Sequence, residues 1–433
     1  MRPVLLFGAM GLALAGVGLF QSWNVALAIL NLSLISAIMA LGVNIQWGYA
    51  GLFNVGIMGF AALGGVAAVL VSTPPVAAAW SAGGAGIGLA GMLLAGTVVA
   101  VVVARRRMNG MARSVATVVL VVGGYAAVRS VYDPSVGAIE AVDPARTGNL
   151  GGLGLPIVMA WAVGGLFAAG VAWLIGKISL GLRSDYFAIA TLGISEILIA
   201  VIKNEDWLTR GVKNVTGLPR PVPYEVNLQS AGWFIDLSQQ LGFSPLAFSG
   251  IFVKLCYAVL FAAVLLGLYW LSQRALNSPW GRMMRAIRDN RDAAEAMGKD
   301  VTARHLQVFV LGSAVVGIAG AMLVTLDGQF TPGTYNPLRY TFLIWVMVIV
   351  GGSGNNTGAI LGAFLIWFVW IEAETAGRSL MTAAVEWLPE GSAIGAHLLD
   401  AAPHLRLFLM GLILLLVLRF SPRGLIPERR GGG

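Results

Sequence analysis

Between residues 278 and 298 the chain reads SPWGRMMRAIRDNRDAAEAMG, and charged groups recur there at helical spacing. Arg285, Arg288, Asp292 and Glu295 fall three or four positions apart, which puts them on one wet stripe of a helix. Ala293, Ala294 and Met297 make a small, smooth patch beside it. Ser278 suits the N-cap, Pro279 the first helical position and Gly298 the C′ stop. The expectation is one rod of about 18 residues, ~27 Å long. Small side chains let another backbone approach, and the charges can fix register in a partner's groove. The same features suit a helix resting on anionic lipid. The residues alone leave both readings open.

A second group is polar but lies inside apolar runs. Asn44, Gln46, Tyr49 and Asn54 surround three glycines, Gly48, Gly51 and Gly56. At membrane depth such a set either bonds helix to helix or marks a broken helix that lines a cavity. Glu196 stands within AIATLGISEILIA, with Tyr186, Thr191 and Ser195 on or near it at helical spacing. An ionisable group there costs ~2.5–3.5 kcal/mol on insertion scales, so it is expected to face protein or water. A role in helix pairing or gating fits it better than direct substrate contact, although an ammonium would suit it. GGSGNNTG, residues 351–358, has no basic residue to help its glycines hold an anion and is expected to be a hairpin or re-entrant tip. His305, His397 and His404 show no metal spacing, and no nucleophile–base–acid set stands out. No enzyme, metal or cofactor is expected.

The elements that position these groups follow from composition. Of 433 residues, 58% are hydrophobic and only 11% charged, with a mean hydropathy of +0.81. Soluble domains carry about 25% charged residues, so lipid must solvate most of this chain. The 57 glycines suit helices packed closely in a bilayer. Apolar runs near ~20 residues favour spanning helices over barrel strands of about 10. Candidate spans are 3–20, 25–45, 53–71, 86–104, 115–131, 157–176, 187–202, 251–271, 306–326, 341–350, 358–371 and 405–418. The expected fold is all-α, a polytopic bundle of about 10–12 spans including broken or re-entrant helices.

The net charge of +8 does not point to nucleic acid, because its basic residues sit at the ends of spans. Arg105–Arg107 with Arg113, then the 274–304 loop, then Arg419, Arg423, Arg429 and Arg430 alternate correctly if both termini are cytoplasmic. Acidic residues such as Asp133, Glu205, Glu225, Glu390 and Asp400 fall on the other side, beside bases such as Arg210 and Arg220. The longest outward loops are 132–156, 203–250 and 373–404. The first span is expected to stay as an anchor rather than act as a cleaved signal. Cys256, the single cysteine, reads as packing.

Four stretches in order resemble one family. Residues 278–298 are similar to the EAA-type coupling loop of ABC importer permeases, with Ala293, Ala294 and Gly298 in the alanine-pair and glycine places. Glu295 follows the alanines instead of preceding them, and Asp292 holds the acidic place. WGYAGLFNVGIMGFAALG (47–64), RSDYFAIATLGISEI (183–197) and VGGSGNNTGAILGAF (350–364) resemble LivM-type branched-chain amino acid permeases. The likeness runs from about residue 30 to 423 and is poor over 74–156 and 372–404.

The resemblance implies a single permease domain over 1–433, with 274–304 as a cytoplasmic coupling loop and 203–250 as a long periplasmic loop. It also implies a bacterial inner-membrane location, two ABC ATPase subunits, a second homologous permease and a periplasmic binding protein. Arg285, Arg288, Asp292, Ala293, Ala294, Glu295 and Gly298 would meet the ATPase, and Ala294→Arg would abolish uptake without harming insertion. Asn44, Gln46, Tyr49, Asn54, Tyr186, Thr191, Ser195 and Glu196 are the candidates for the path. No Gly-Lys pair is followed by Ser or Thr, as a P-loop needs, and Ile178 follows Lys177. Energy would come from elsewhere. The alternatives are a urea or short-amide permease on the same scaffold, or a lone ion-coupled carrier using Glu196.

Overall fold

Long apolar runs in lipid can satisfy their backbone only internally, and helices do so within one segment. A computed structural model describes residues 2–144, 148–386, 397, 400, 401 and 404–428. Glu390, Arg429 and Arg430 lie outside them.

The helices are α1 (Arg2–Phe20), α2 (Trp23–Val43), α3 (Ile57–Ser72), α4 (Ala85–Arg107), α5 (Gly110–Glu140), α6 (Ile157–Ser179) and α7 (Ser184–Asn204). They continue with α8 (Pro245–Asn277), α9 (Pro279–Asp289), α10 (Arg291–Ala296), α11 (Val301–Asp327), α12 (Pro337–Gly351), α13 (Asn356–Val385) and α14 (Leu405–Phe420). Among the described residues, nine helical segments are long and apolar enough to cross a membrane. The shorter α3, α12 and α14 are apolar too. Each expected span falls on a helix, although 53–71 starts in irregular chain and is helical only from Ile57, and the all-α polytopic bundle stands.

The core is formed by α2, α3, α6, α11, α12 and α13. Two glycines show why it can close. A Cβ on Gly317 would sit 2.5 Å from the Gly164 carbonyl, and one on Gly164 would sit 3.1 Å from the Gly317 carbonyl. Backbones of α6 and α11 therefore touch, the close approach that small residues permit in lipid. By contrast α4 and α5 pack mainly on each other. They turn Val98, Val118 and Val122 outward, as a lipid-facing hairpin does.

Two expectations change. The 278–298 rod is two helices, because Asn290 adopts an extended backbone and its side chain caps α10 by accepting from Ala293 N at 3.0 Å. An Asx cap competes with helix continuation at that position. Ser278 occupies the N-cap of α9, but its hydroxyl donates to Ala275 O at 2.6 Å and makes no cap bond. The stretch 203–250, expected as one long loop, also contains regular structure. It holds helices Asp206–Thr209, Glu225–Ser230 and Gly232–Gln240, and buries Leu218, Val222 and Phe234. Its strand Val215–Thr216 pairs with Gln329–Phe330, immediately after α11.

Candidate functional site

The end of the bundle carrying α9 and α10 is here called the inner end. There α2 does not simply stop. A π-turn, Asn44–Gly48, leads into an unwound stretch before α3 begins at Ile57. Single π-turns of this kind are frequent at functional sites. Asn44, which is fully buried, donates to Asn356 Oδ1 at 2.9 Å and accepts from Gly354 N at 2.9 Å. Two stretches some three hundred residues apart, 44–56 and 351–358, thus meet directly. The expected 351–358 turn is covered rather than free at a tip. Ile426 N donates to Gly351 O at 2.9 Å, and Asn355 Nδ2 donates to Pro427 O at 3.1 Å.

Arg288 locks this joint to α9. Its guanidinium donates to the Gly48 carbonyl and lies 3.0 Å from the Glu428 carboxylate. Arg285 stands 4.0 Å from Glu428 on the other oxygen. Burial opposes the Arg288 charge, but the Glu428 and Asp289 carboxylates outweigh it and hold the group above its ordinary value. Gly354 leaves room for the pair, since a Cβ there would sit 2.9 Å from Glu428 Oε2 and 3.2 Å from Arg288 Nη1. Tyr49 is buried beside this joint.

The unwound stretch is clamped from three sides. Gln46 donates to Phe309 O at 3.0 Å and Ser313 Oγ at 3.1 Å, and accepts from Asn54 Nδ2 at 2.9 Å. Trp345 Nε1 donates to Asn54 O at 3.1 Å. On α7, Thr191 Oγ1 accepts from Val55 N at 3.1 Å and Ser195 Oγ accepts from Gly59 N at 2.8 Å. Asn44, Gln46, Asn54, Thr191 and Ser195 are therefore bonded and buried. Glu196 and Tyr186 do not join them. Both lie on the opposite, exposed side of α7, so the expected grouping of Glu196 with Thr191 and Ser195 divides by face.

The charged stripe divides in the same manner. Arg285 and Arg288 turn inward to Glu428, whereas Asp292 and Glu295 stay exposed, with Arg291 3.0 Å from Glu295. Of the alanine pair, Ala293 is open and Ala294 is buried among the core side chains. Ala294→Arg therefore cannot test docking alone, since its first effect falls on the fold. Gly298 has φ +73, the left-handed conformation a C′ residue takes.

Residues missed in the sequence include Glu428, which lies between Arg423 and Arg429, and Asp327 at the end of α11. Asp327 lines a chamber of about 180 Å³ between α2, α11, α12 and α13, with Met39, Met58, Ile344 and Tyr335. The signal for Asp327 was a carboxylate ending an apolar span with no base after it.

A multi-span helical bundle, with a broken helix clamped at its centre and a short helical pair braced against the break, defines a polytopic membrane subunit of the permease class. The family described as "Branched-chain amino acid transport system / permease component" matches residues 135–418, and the chain belongs to it. A probable branched-chain amino acid transport permease protein LivM of Methanocaldococcus jannaschii is 27% identical over 282 residues, 65% of this chain and 70% of that protein. The high-affinity LivM permease of Escherichia coli is 27% identical over 277 residues, covering 62% of this chain and 57% of that one. A probable LivH permease of the same archaeon is 31% identical over 126 residues, 29% of this chain and 38% of its own length. No solved structure matches the chain.

Proposed function

We propose that the chain is the permease subunit of an ATP-driven importer of branched-chain amino acids in the inner membrane, with both termini in the cytoplasm. The two LivM relatives support the substrate class over urea or a short amide. The observation that carries the mechanism is the contact of Arg288 with the carbonyl of Gly48. It ties α9, which leads through Asn290 into α10 and its exposed Ala293, to the π-turn that follows α2. Two ATPase subunits would dock on the 274–304 loop at Ala293, Asp292, Glu295 and the turn at Gly298. Motion of α9 would then pull on the π-turn through Arg288, while Arg285 keeps the Glu428 tail in step.

Asn44, Gln46, Tyr49, Asn54, Thr191 and Ser195 would position the break along the path. Tyr186 and Glu196, on the open face of α7, would meet a second permease across the path, where a carboxylate escapes the cost of facing lipid. A periplasmic binding protein would deliver to the ordered 203–250 region, and 1–433 would act as one domain in the bilayer. The test is uptake of labelled leucine, isoleucine and valine by cells with and without the chain. Ala293→Cys should also crosslink to an ATPase subunit. Equal uptake in both strains sinks the proposal, as does an Ala293→Cys label recovered only on lipid.

A further inference from the structure

We infer that the turn joining α4 and α5 docks anionic phospholipid headgroups, and that this lipid fixes the inner end of the hairpin. The hairpin lies almost wholly outside the 135–418 family match. Its packing beyond itself is mainly with residues 77–84 and 206–209, at the outer end. There Tyr132 donates to Glu205 and accepts from Trp207 Nε1 at 2.7 Å. Ile139 of α5 is buried in a cluster with Ala79 and Leu150. At the other end the chain turns at Met108 and Asn109, and residues 105–115 are exposed throughout.

Charge and depth select the partner. Arg105, Arg106, Arg107 and Arg113 crowd this turn, and no Asp or Glu precedes Asp133 in the chain, so the hairpin has no acid of its own near the tip. At the outer end, by contrast, Arg129 lies 2.8 Å from Asp133. Arg113 stands 19 positions before Tyr132 on α5, a rise of ~28 Å. Arg105 stands 25 positions after Trp80 in the other arm, ~37 Å of helix. A hydrocarbon core is about 30 Å thick, and the bilayer with its headgroups about 40–45 Å. With Trp80 and Tyr132 at the outer interface, where such rings gather, the guanidinium groups reach the opposite headgroups and stop there. They do not project into water toward a soluble protein. Met111, 84% exposed in the same turn, fits that boundary, since its side chain can rest on acyl carbon. Four bases within nine residues beside a span gather acidic lipid, and a guanidinium meets a phosphate through two parallel hydrogen bonds.

The proposal stands apart from import, and its readout is lipid contact. The purified full chain is placed in nanodiscs of equal parts phosphatidylglycerol and phosphatidylcholine, one or the other carrying a photoreactive headgroup. Phosphatidylglycerol should label residues 105–113 about fivefold or more over phosphatidylcholine, with a ratio near one at residues 76–84. Replacing all four bases (Arg105→Gln, Arg106→Gln, Arg107→Gln and Arg113→Gln) should bring the tip to the same ratio. Those charges also orient the span. If that variant fails to insert, Arg106→Gln with Arg113→Gln, which keeps two bases, must lower the preference. Equal labelling of the tip by the two lipids, or a preference that survives loss of the charges, overturns the site. So does a crosslink in native membranes from Met111→Cys, in a Cys256→Ser background, that reaches another polypeptide instead of lipid.

Discussion

At the inner end of the bundle Arg288 lies 3.0 Å from Glu428, and Arg285 lies 4.0 Å from the same carboxylate. At the chamber Asp327 has no such neighbour among the described residues, and it is exposed at the rim of mostly apolar walls. Both carboxylates sit at the ends of helical or terminal segments, yet one is closed by a permanent partner and the other is left open. A paired charge fixes geometry, because removing either member strands the other in a low-dielectric site. An exposed charge keeps its water and needs no protein partner. The first arrangement suits a joint that must transmit motion. The second fixes no geometry.

The largest effect should come from breaking the joint. Arg288→Ala leaves the half-buried Glu428 only the longer 4.0 Å contact with Arg285 and removes the grip on Gly48. It should cost about 3 kcal/mol, measured as thermal unfolding in detergent, and uptake should be lost with it. The double exchange Arg288→Glu with Glu428→Arg should recover part of the stability. A melting temperature unmoved by Arg288→Ala would show that the pair is a surface accident.

Next comes the alanine pair, which separates folding from docking. Ala294→Arg forces a charge among buried side chains and should lower yield of inserted protein. Ala293→Arg lies on the open side and should leave stability within about 0.5 kcal/mol, while uptake falls about tenfold, the equivalent of ~1.4 kcal/mol. Identical behaviour of the two variants would erase the distinction between the inner and outer faces of α10.

Smaller still is Gly354→Ala. Its φ of +77 disfavours a side chain by roughly 1–2 kcal/mol, and the added carbon would press on Glu428 at 2.9 Å. The expected loss appears in unfolding temperature and is relieved in a Glu428→Ala background only in its steric part. Full relief would mean that the backbone conformation is free to change.

Much of this is legible in the residues alone. Apolar run length reports spans because lipid forces backbone bonds to close locally, and the 278–298 stretch stands out as the polar exception. What periodicity could not report is which side of a helix meets protein. Arg285 and Asp292 share a stripe on an ideal rod, but the Asn290 cap breaks that rod and sends them different ways. Glu196 and Ser195 are adjacent in sequence and face opposite directions. The Glu428 pair depends on a tail folding back across the 351–358 turn, a contact with no local signature. Asp327 looked like any polar residue ending a span, because sequence shows a charge without showing whether it has a partner.

The smallest effect is also the most discriminating, because its sign is reversed. If Asp327 is an open charge, Asp327→Asn removes an acid from the negative end of α11 and should raise stability by about 0.3–1 kcal/mol. A drop in stability with Asp327→Asn would mean that the carboxylate already has a structural partner, as Glu428 does, and the contrast between the two ends of the molecule would vanish.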